Sequence, residues 1–158
     1  MNRKKKLPKF DLKERAANGL RRGFTTGTSA TAAVKATLLC RFFGEHPKQV
    51  LVTLPGGEQV LDVPILEVDE ERASVRKDGG DDPDQTHQAV ISARVTERTE
   101  SGIEFIAGEG VGTVTEPGLQ LEVGEAAINP VPRQMIETAI AEVLADVVNP
   151  PAGFSVEI

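Results

Sequence analysis

A loop rich in glycine and threonine precedes a run of very small side chains near the N-terminus. The stretch from Gly23 to Ala36 reads GFTTGTSATAAVKA, and residues 29–43 have the apolar spacing of a helix. Because the first N–H groups of a helix lack partners within it and carry a partial positive charge, the loop predicts a phosphate or carboxylate site. A capped helix whose hydroxyls serve only the backbone explains the same residues, so both interpretations stay open. The candidate ligand contacts are Thr25, Thr26, Gly27, Thr28 and Ser29.

An acidic loop with the sequence VRKDGGDDPDQTH occupies residues 75–87. An EF-hand loop requires glycine at its sixth position and glutamate at its twelfth. Counted from Asp78, those positions hold Pro83 and Ala89, so the loop is not an EF-hand. A looser site for a divalent cation stays open.

Two further interpretations of the same loop concern its shape and its charges. Gly79-Gly80 predicts a turn, which makes the loop a polar connection. Alternatively the loop is functional: Lys77 binds a substrate carboxylate, and an aspartate or His87 handles a proton. The chain has one cysteine and two histidines, which offer no cluster for structural zinc.

Two other motifs contain residues with possible ligand roles. Residues 108–115, GEGVGTVT, contain G-x-G-x-G without the full dinucleotide fingerprint, and a β-like run follows in place of a helix. This pattern predicts a backbone that passes close to a ligand or to another strand. In residues 124–136, GEAAINPVPRQMI, Asn129 is a candidate N-cap, and Arg133 lies in the first turn, where a cation is unfavourable. Arg133 is therefore expected to pair with an acidic ligand or with Glu137.

Composition narrows the class of protein. The chain has 158 residues and a net charge of −6, with 4% aromatic residues and neither Trp nor Tyr. This argues against nucleic-acid binding, and the five basic residues within the first ten positions are most simply a solvated tail. The one cysteine, Cys40, lies among apolar residues and is expected to be a buried, inert thiol. No apolar run has the length of a membrane span or a signal peptide, so a cytoplasmic protein is expected.

Two helices and about seven strands are predicted around these motifs, which gives an α+β fold with a largely antiparallel or mixed sheet. Two pairs of strands are expected to form hairpins, 49–54 with 59–68 and 89–98 with 103–108. Pro64 should break its strand or confine it to an edge. The predicted helices are 29–43 and 129–147, and the other strand candidates are 73–77, 110–115 and 154–158. A chain that ends on a strand suggests one domain of a longer protein.

Four motifs, in order from about Leu20 to Ile136, together resemble one family. LRRGFTTGTSATAAVKA, VRKDGGDDPDQTH, GEGVGTVTEPGL and GEAAINPVPRQMI are similar to the N-terminal half of the CbiD family, the cobalt-precorrin-5B C1-methyltransferases of anaerobic cobalamin biosynthesis. Family members often have Gly-Thr-Cys where this chain has Gly27-Thr28-Ser29, so no essential thiol is expected at position 29. They also often have Lys-Asp-Ala-Gly where this chain has Lys77-Asp78-Gly79-Gly80, and they are longer, with a second α/β half.

The resemblance implies an enzyme that transfers a methyl group from S-adenosylmethionine to C1 of cobalt-precorrin-5B and gives cobalt-precorrin-6A. It implies a ribosomal-protein-S5-domain-2-like fold, with a tail and lead-in over 1–19, a family domain over 20–158 and the C-terminal half of the family as partner. Cobalt would enter only as part of the substrate. Because the reaction mainly needs two oriented reactants, neither a strong nucleophile nor a metal is required.

Residue roles follow from the same resemblance. The expected substrate contacts are the Thr-loop residues Thr25 to Ser29 together with Lys77, Asn129 and Arg133, with Arg21 and Arg22 as further candidates. The residues expected to handle protons are Asp78, Asp82 and His87. The expected contacts of S-adenosylmethionine are Gly108, Gly110, Gly112 and Thr113. Two other functions stay open, namely a small-molecule kinase-like domain that binds phosphates and a non-catalytic interaction domain.

Overall fold

The structure, a computed structural model, describes residues 6–20, 23–80, 88–111 and 124–158, which contain two helices and seven strands. The elements are α1 (Thr26–Phe43), β1 (Gln49–Thr53), β2 (Val60–Pro64), β3 (Glu67–Val68), β4 (Arg72–Arg76), β5 (Val90–Arg98), β6 (Gly102–Ile106), α2 (Pro130–Leu144) and β7 (Gly153–Glu157). The predicted α+β class is confirmed, and the ribosomal-protein-S5-domain-2-like assignment stays a prediction.

The strands form two sheets. A five-stranded sheet has the order β3-β4-β5-β7-β6, in which β6 and β7 are parallel and the other neighbours are antiparallel. β1 and β2 form a separate antiparallel hairpin, as predicted, and Gly56 and Gly57 make its turn with positive φ. Pro64 ends β2, and the next strand, β3, belongs to the larger sheet. The break predicted at Pro64 is therefore confirmed.

The predicted hairpin between 89–98 and 103–108 is wrong. β7 lies between β5 and β6 and pairs with both. Phe154 and Val156 of β7 are at most 1% exposed, whereas β6 alternates between half-buried and exposed residues. The burial of Phe154 and Val156 follows from this central position and not from composition, because β6 (GIEFI) has at least as many large apolar residues as β7 (GFSVE). Of the predicted strand at 110–115, the first two residues lie outside any strand, and 112–115 lie outside the described residues.

Helix α1 is buried along most of its length and contacts α2, β1, β4 and β5. Four of its alanines are at most 2% exposed, and such small side chains let the sheet and the second helix approach closely. Its buried threonines donate to carbonyls one turn earlier, Thr31 to Gly27 at 2.7 Å and Thr37 to Ala33 at 2.8 Å. These hydroxyls are therefore buried without losing a hydrogen bond.

Both helices differ from prediction at their ends. α1 begins at Thr26, three residues before the predicted start, because Thr25 already caps it. It ends where Gly44 adopts the left-handed conformation, with φ 67°. α2 ends at Leu144 and not at 147.

Near the end of α1, Cys40 is 2% exposed, and burial is the main cause that raises the pKa of its thiol, with smaller contributions from Glu70 and Asp69. The buried thiol is confirmed.

Residues 8–10 belong to the folded body, which differs from the expected solvated tail. Val60 donates its N–H to Pro8 at 3.0 Å, and Phe10 donates to Val60 at 2.7 Å. Lys9 forms an ion pair with Asp62 at 2.6 Å. The apolar side chain of Phe10 packs against the core, which is why this part of the chain does not behave as a charged tail.

A polar network joins α1, α2 and β1. Glu142 accepts hydrogen bonds from the Lys35 ammonium at 3.0 Å and from the Thr53 hydroxyl at 2.8 Å. Lys35 also donates to the carbonyl of Leu51 at 2.7 Å.

Within the part of the chain that the structure describes, neither helix combines the length and the hydropathy that crossing a membrane requires.

Candidate functional site

An open groove of about 1030 Å³ lies at the N-terminal end of α1. This volume is at the top of the range of roughly 300–1,000 Å³ found for small-molecule pockets. The groove therefore has room for a ligand larger than a typical metabolite. Its principal polar lining residues are Thr25, Thr26, Thr28, Gln59, Lys77 and Asn129, and its principal apolar ones are Phe10, Leu20, Leu54, Leu61, Val131 and Met135.

The Thr loop forms one end of the groove. Thr25 is the N-cap of α1, and its hydroxyl oxygen accepts the Thr28 N–H at 3.0 Å. The N–H groups of Thr26 and Gly27, in the first turn, have no partner within the helix. Thr25 and Thr26 are exposed, and their side chains face the same groove as these N–H groups. The structure therefore brings four of the five predicted loop contacts to the groove, and both interpretations of the loop apply at once.

Ser29 is the exception. It is fully buried, and its hydroxyl donates to the carbonyl of Thr25 at 3.0 Å. The position at which family members often have cysteine therefore lies within the helix packing of this chain and not on the groove.

Gly23 joins the Thr loop to the loop that follows β4. A Cβ atom at position 23 would lie 2.3 Å from the carbonyl oxygen of Asp78 and 2.3 Å from the nitrogen of Gly80. The next residue, Phe24, donates its N–H to the same Asp78 carbonyl at 2.7 Å. Only glycine fits this contact, so two motifs far apart in sequence are held against each other.

Gly27 makes the corresponding contact with the start of α2. A Cβ atom there would lie 2.9 Å from Cγ of Pro132. The N-terminal ends of α1 and α2 therefore meet, and both helix dipoles place their positive ends at the groove.

Lys77 lies directly after β4, is 2% exposed and is among the residues that line the groove. Its backbone continues the β4–β5 pairing through hydrogen bonds with Ala89 and Gln88, each 2.9 Å long. Asp78 is half-buried beside the groove, and its carboxylate accepts the Gly80 N–H at 2.9 Å, which fixes the predicted turn. Asp82 and His87 lie outside the described residues, so their expected proton-handling role stays a prediction.

Asn129 occupies the N-cap position of α2 as predicted, but its side chain makes no capping hydrogen bond. An N-cap side chain normally accepts the N–H of the second or third helical residue. Here the third residue is Pro132, which has no N–H, so capping is weakened. Asn129 is exposed and lines the groove, which leaves its carboxamide positioned for a ligand.

Arg133 does not line the groove. Its guanidinium donates to the carbonyls of Ile128 at 2.7 Å and Ala126 at 2.9 Å, and it lies 4.8 Å from the ring centroid of Phe105. Its carboxylate neighbour is Glu125, at 3.9 Å, and not the predicted Glu137. Arg133 therefore holds the segment that leads into α2, and these contacts explain the cation in the first turn.

The Gly-rich motif is explained in part by strand packing. A Cβ atom at Gly108 would lie 2.6 Å from the carbonyl oxygen of Ile158, so this glycine is required by the chain next to β7. Gly108 and Gly110 border a second concavity of about 590 Å³, and Thr26 lines both this concavity and the groove. Gly112, Thr113, Arg21 and Arg22 lie outside the described residues. Among residues 6–20, 23–80, 88–111 and 124–158, no three His, Cys, Asp or Glu side chains lie together as a metal site would require.

Much of the apolar wall was not predicted. Leu54 and Leu61 come from the β1–β2 hairpin, and Val131 and Met135 come from α2. In the sequence, these residues look like ordinary core residues. Only the folded topology brings the hairpin and the helix to the same groove. One signal was available for Asn129, because Pro132, the third helical residue, has no N–H for its side chain to cap.

The arrangement suits a large ligand that is apolar over much of its surface and negatively charged at its edge. Two helix N-termini and the buried Lys77 favour a carboxylate, whereas the leucines, Val131 and Met135 favour an apolar face.

Comparisons with known proteins show the family of the chain. The sequence profile of the family described as CbiD matches residues 13–158. A Ralstonia nicotianae protein named cobalt-precorrin-5B C(1)-methyltransferase is 51% identical over 154 residues, which cover 94% of this chain and 40% of that protein. An Agrobacterium fabrum protein of the same name is 52% identical over 143 residues, covering 88% of this chain and 37% of that protein.

A solved structure shares the fold. The crystal structure of the cobalamin biosynthesis protein (cbiD) from Archaeoglobus fulgidus superposes with a TM-score of 0.67 at 32% identity, covering 87% of this chain and 43% of that one. This chain thus spans about 40% of the length of the relatives that it matches. With its profile match from residue 13 to residue 158, the chain belongs to the CbiD family.

Proposed function

We propose that this chain binds the corrinoid substrate of a methyltransferase that methylates C1 of cobalt-precorrin-5B and gives cobalt-precorrin-6A. The observation that carries the proposal is the convergence of three separated motifs, around Thr26, Lys77 and Asn129, on one groove. A precorrin has a wide, largely apolar ring and carboxylates around its edge, and the groove offers an apolar wall and a positive end. The relatives named for this activity support the reaction.

The residues act by binding and orientation. The N–H groups at the start of α1, the Lys77 ammonium and the Asn129 carboxamide each donate to ring carboxylates. Fixing the ring at its edge reduces its freedom before reaction, and such positioning is the largest rate contribution available to a two-reactant transfer. Arg133 contributes indirectly, because it holds the segment before Asn129.

S-adenosylmethionine, when bound, supplies the methyl group as a sulfonium. We propose that its site borders the second concavity at Gly108 and Gly110, because that concavity meets the groove at Thr26. Gly108 itself is required by Ile158, so its support for a donor site is indirect. The remaining part of the longer relatives is the proposed partner that completes the enzyme.

A binding titration tests the proposal. The ligand is cobyrinic acid, a cobalt corrinoid with free carboxylates, followed through its visible absorption, where protein side chains do not absorb. Lys77→Met should weaken binding about 10- to 100-fold, since a hydrogen bond to a charged group contributes about 1.5–3 kcal/mol. Lys48→Met, at an exposed lysine that does not line the groove, is the matched control.

A second variant avoids the buried lysine. Thr26→Val keeps the shape of the side chain and removes its hydroxyl, and it should weaken binding about 3- to 10-fold for the loss of one neutral hydrogen bond of about 1 kcal/mol. ATP with Mg²⁺ should give no thermal stabilisation. Stabilisation by ATP without corrinoid binding, or equal corrinoid affinity in all variants, would contradict the proposal.

A further inference from the structure

The N-terminal lead-in, residues 8–20, lies against the groove. Phe10, Ala16, Asn18 and Leu20 all line it, although the family resemblance begins near Leu20 and the charges before it suggest a tail. We propose that this lead-in is the binding wall for the flat, apolar face of the corrinoid ring, with Phe10 and Leu20 as its contacts. The inference rests on the proposed function and adds residues to its site.

The lead-in is attached to the protein along one edge. Pro8 and Phe10 pair with Val60 at the edge of β2, and the Lys9–Asp62 ion pair reinforces this pairing. β2 pairs with β1 on its other side. The lead-in thus extends the β1–β2 hairpin, whose Leu54 and Leu61 form the adjoining part of the groove.

Beyond the pairing, local hydrogen bonds shape the lead-in. Ala16 donates its N–H to the carbonyl of Leu20 at 3.0 Å, Gly19 donates to Ala16 at 2.8 Å, and the Arg15 guanidinium donates to the Gly19 carbonyl at 2.9 Å. A turn closed in this way holds Leu20 at the rim without help from the core.

The rim of the groove exposes apolar surface on two elements. Leu20 is 42% exposed and Val131, from α2, is 50% exposed. Both side chains line the groove, which places exposed apolar groups beside the helix N-termini and Lys77. Exposed apolar surface next to a positive pocket matches a ligand with an apolar ring and anionic side chains, so the occupant is the corrinoid and not a peptide.

The test compares variants of the whole chain in the cobyrinic acid titration. Phe10→Ala should weaken binding about tenfold, which corresponds to about 1.4 kcal/mol. Leu20→Ser should weaken it about 3- to 10-fold, and because Leu20 is already exposed this variant should fold normally. Phe43→Ala, at a 42% exposed phenylalanine that does not line the groove, should leave affinity unchanged.

A second readout separates ring contact from simple folding. In the wild type, saturating cobyrinic acid should slow hydrogen exchange at the Phe10 and Val60 amides at least severalfold, because the ligand holds the lead-in against β2. With cobyrinic acid whose carboxylates are all esterified, Lys77→Met should have little further effect on affinity. Phe10→Ala should still weaken binding of this ester.

The outcomes distinguish the two proposals. Wild-type binding with weakened Phe10→Ala and Leu20→Ser variants, together with slowed exchange, supports the lead-in as a wall. Wild-type binding with unchanged affinity in both variants overturns this inference and leaves the proposed function standing. No binding by the wild type overturns both.

Discussion

The contact between Gly27 and Pro132 sets how closely the two helix N-termini approach, and it can be tested by a double-mutant cycle. Gly27→Ala places a Cβ atom 2.9 Å from Cγ of Pro132, closer than carbon atoms normally approach. Overpacking of this kind costs about 1–3 kcal/mol, whereas replacing glycine by alanine in a helix gains at most about 1 kcal/mol. We therefore expect Gly27→Ala to lower the free energy of unfolding by about 1–2 kcal/mol.

Removing the proline ring should relieve the clash. In Gly27→Ala/Pro132→Ala the nearest atom of residue 132 becomes Cβ, which lies 3.1 Å away in the wild type and needs only a small shift. The double variant should then be more stable than the sum of the single effects by about 1–2 kcal/mol.

Urea unfolding followed by far-ultraviolet circular dichroism measures all four proteins, since the chain has no Trp or Tyr for fluorescence. Pro150→Ala, after the C-terminal end of α2, replaces Pro132→Ala in a control cycle and should be additive with Gly27→Ala within about 0.5 kcal/mol. Additivity in the Gly27/Pro132 cycle as well would refute the view that this contact sets the geometry of the groove.

Three further changes test other parts of the structure. Glu142→Gln should destabilise the protein by about 1–3 kcal/mol in urea unfolding, because it weakens bonds from Lys35 and from β1, whereas Glu137→Gln on the exposed face of α2 should have little effect. Two backbone N–H bonds lower the pKa of Asp69 from its ordinary value of 3.8, so its stabilisation is present above that pH and is lost as pH falls through the lower folded pKa. Asp69→Asn should therefore flatten the acid limb of the stability profile, and a wild-type carboxyl that titrates at or above 3.8 by NMR would contradict this. Burial raises the pKa of Cys40, so a thiol reagent at neutral pH should modify it only at the rate of unfolding, and rapid labelling of the folded protein would show that it is accessible.

Local patterns in the sequence were sufficient for the elements that depend on near neighbours. α1 follows from its small side chains and its cap, and the β1–β2 hairpin follows from alternating residues around Gly56-Gly57. The position of β7 could not be read locally, because a hairpin between β5 and β6 has a normal loop and acceptable strands. The pairing changes because β7, which follows α2 in the chain, lies between β5 and β6 and pairs with both, a long-range contact that no local pattern contains.

In the candidate site, too, the residues that local patterns identify differ from those that depend on the folded structure. The sequence identified Thr25 to Thr28, Lys77 and Asn129 by residue type, and the structure places all of them on one groove. It did not show why Arg133 lies in the first turn of α2, because the carbonyls of Ala126 and Ile128 become partners only in the folded segment. Nor did it show that Phe10 of the lead-in lines the groove. The basic residues before Phe10 favoured a solvated tail, in which a single apolar side chain has no expected contact.

The Thr loop contains more than the fold requires. Folding accounts for Gly23 through its contact with Asp78 and for Gly27 through Pro132. It also accounts for Thr25, which is the N-cap of α1 and accepts the Thr28 N–H. One hydroxyl is sufficient for this role. Within the described residues the hydroxyl of Thr26 takes part in no hydrogen bond, yet it is exposed where the groove and the second concavity meet. Because capping does not need this side chain and packing does not bury it, Thr26 separates the ligand interpretation of the loop from the structural one.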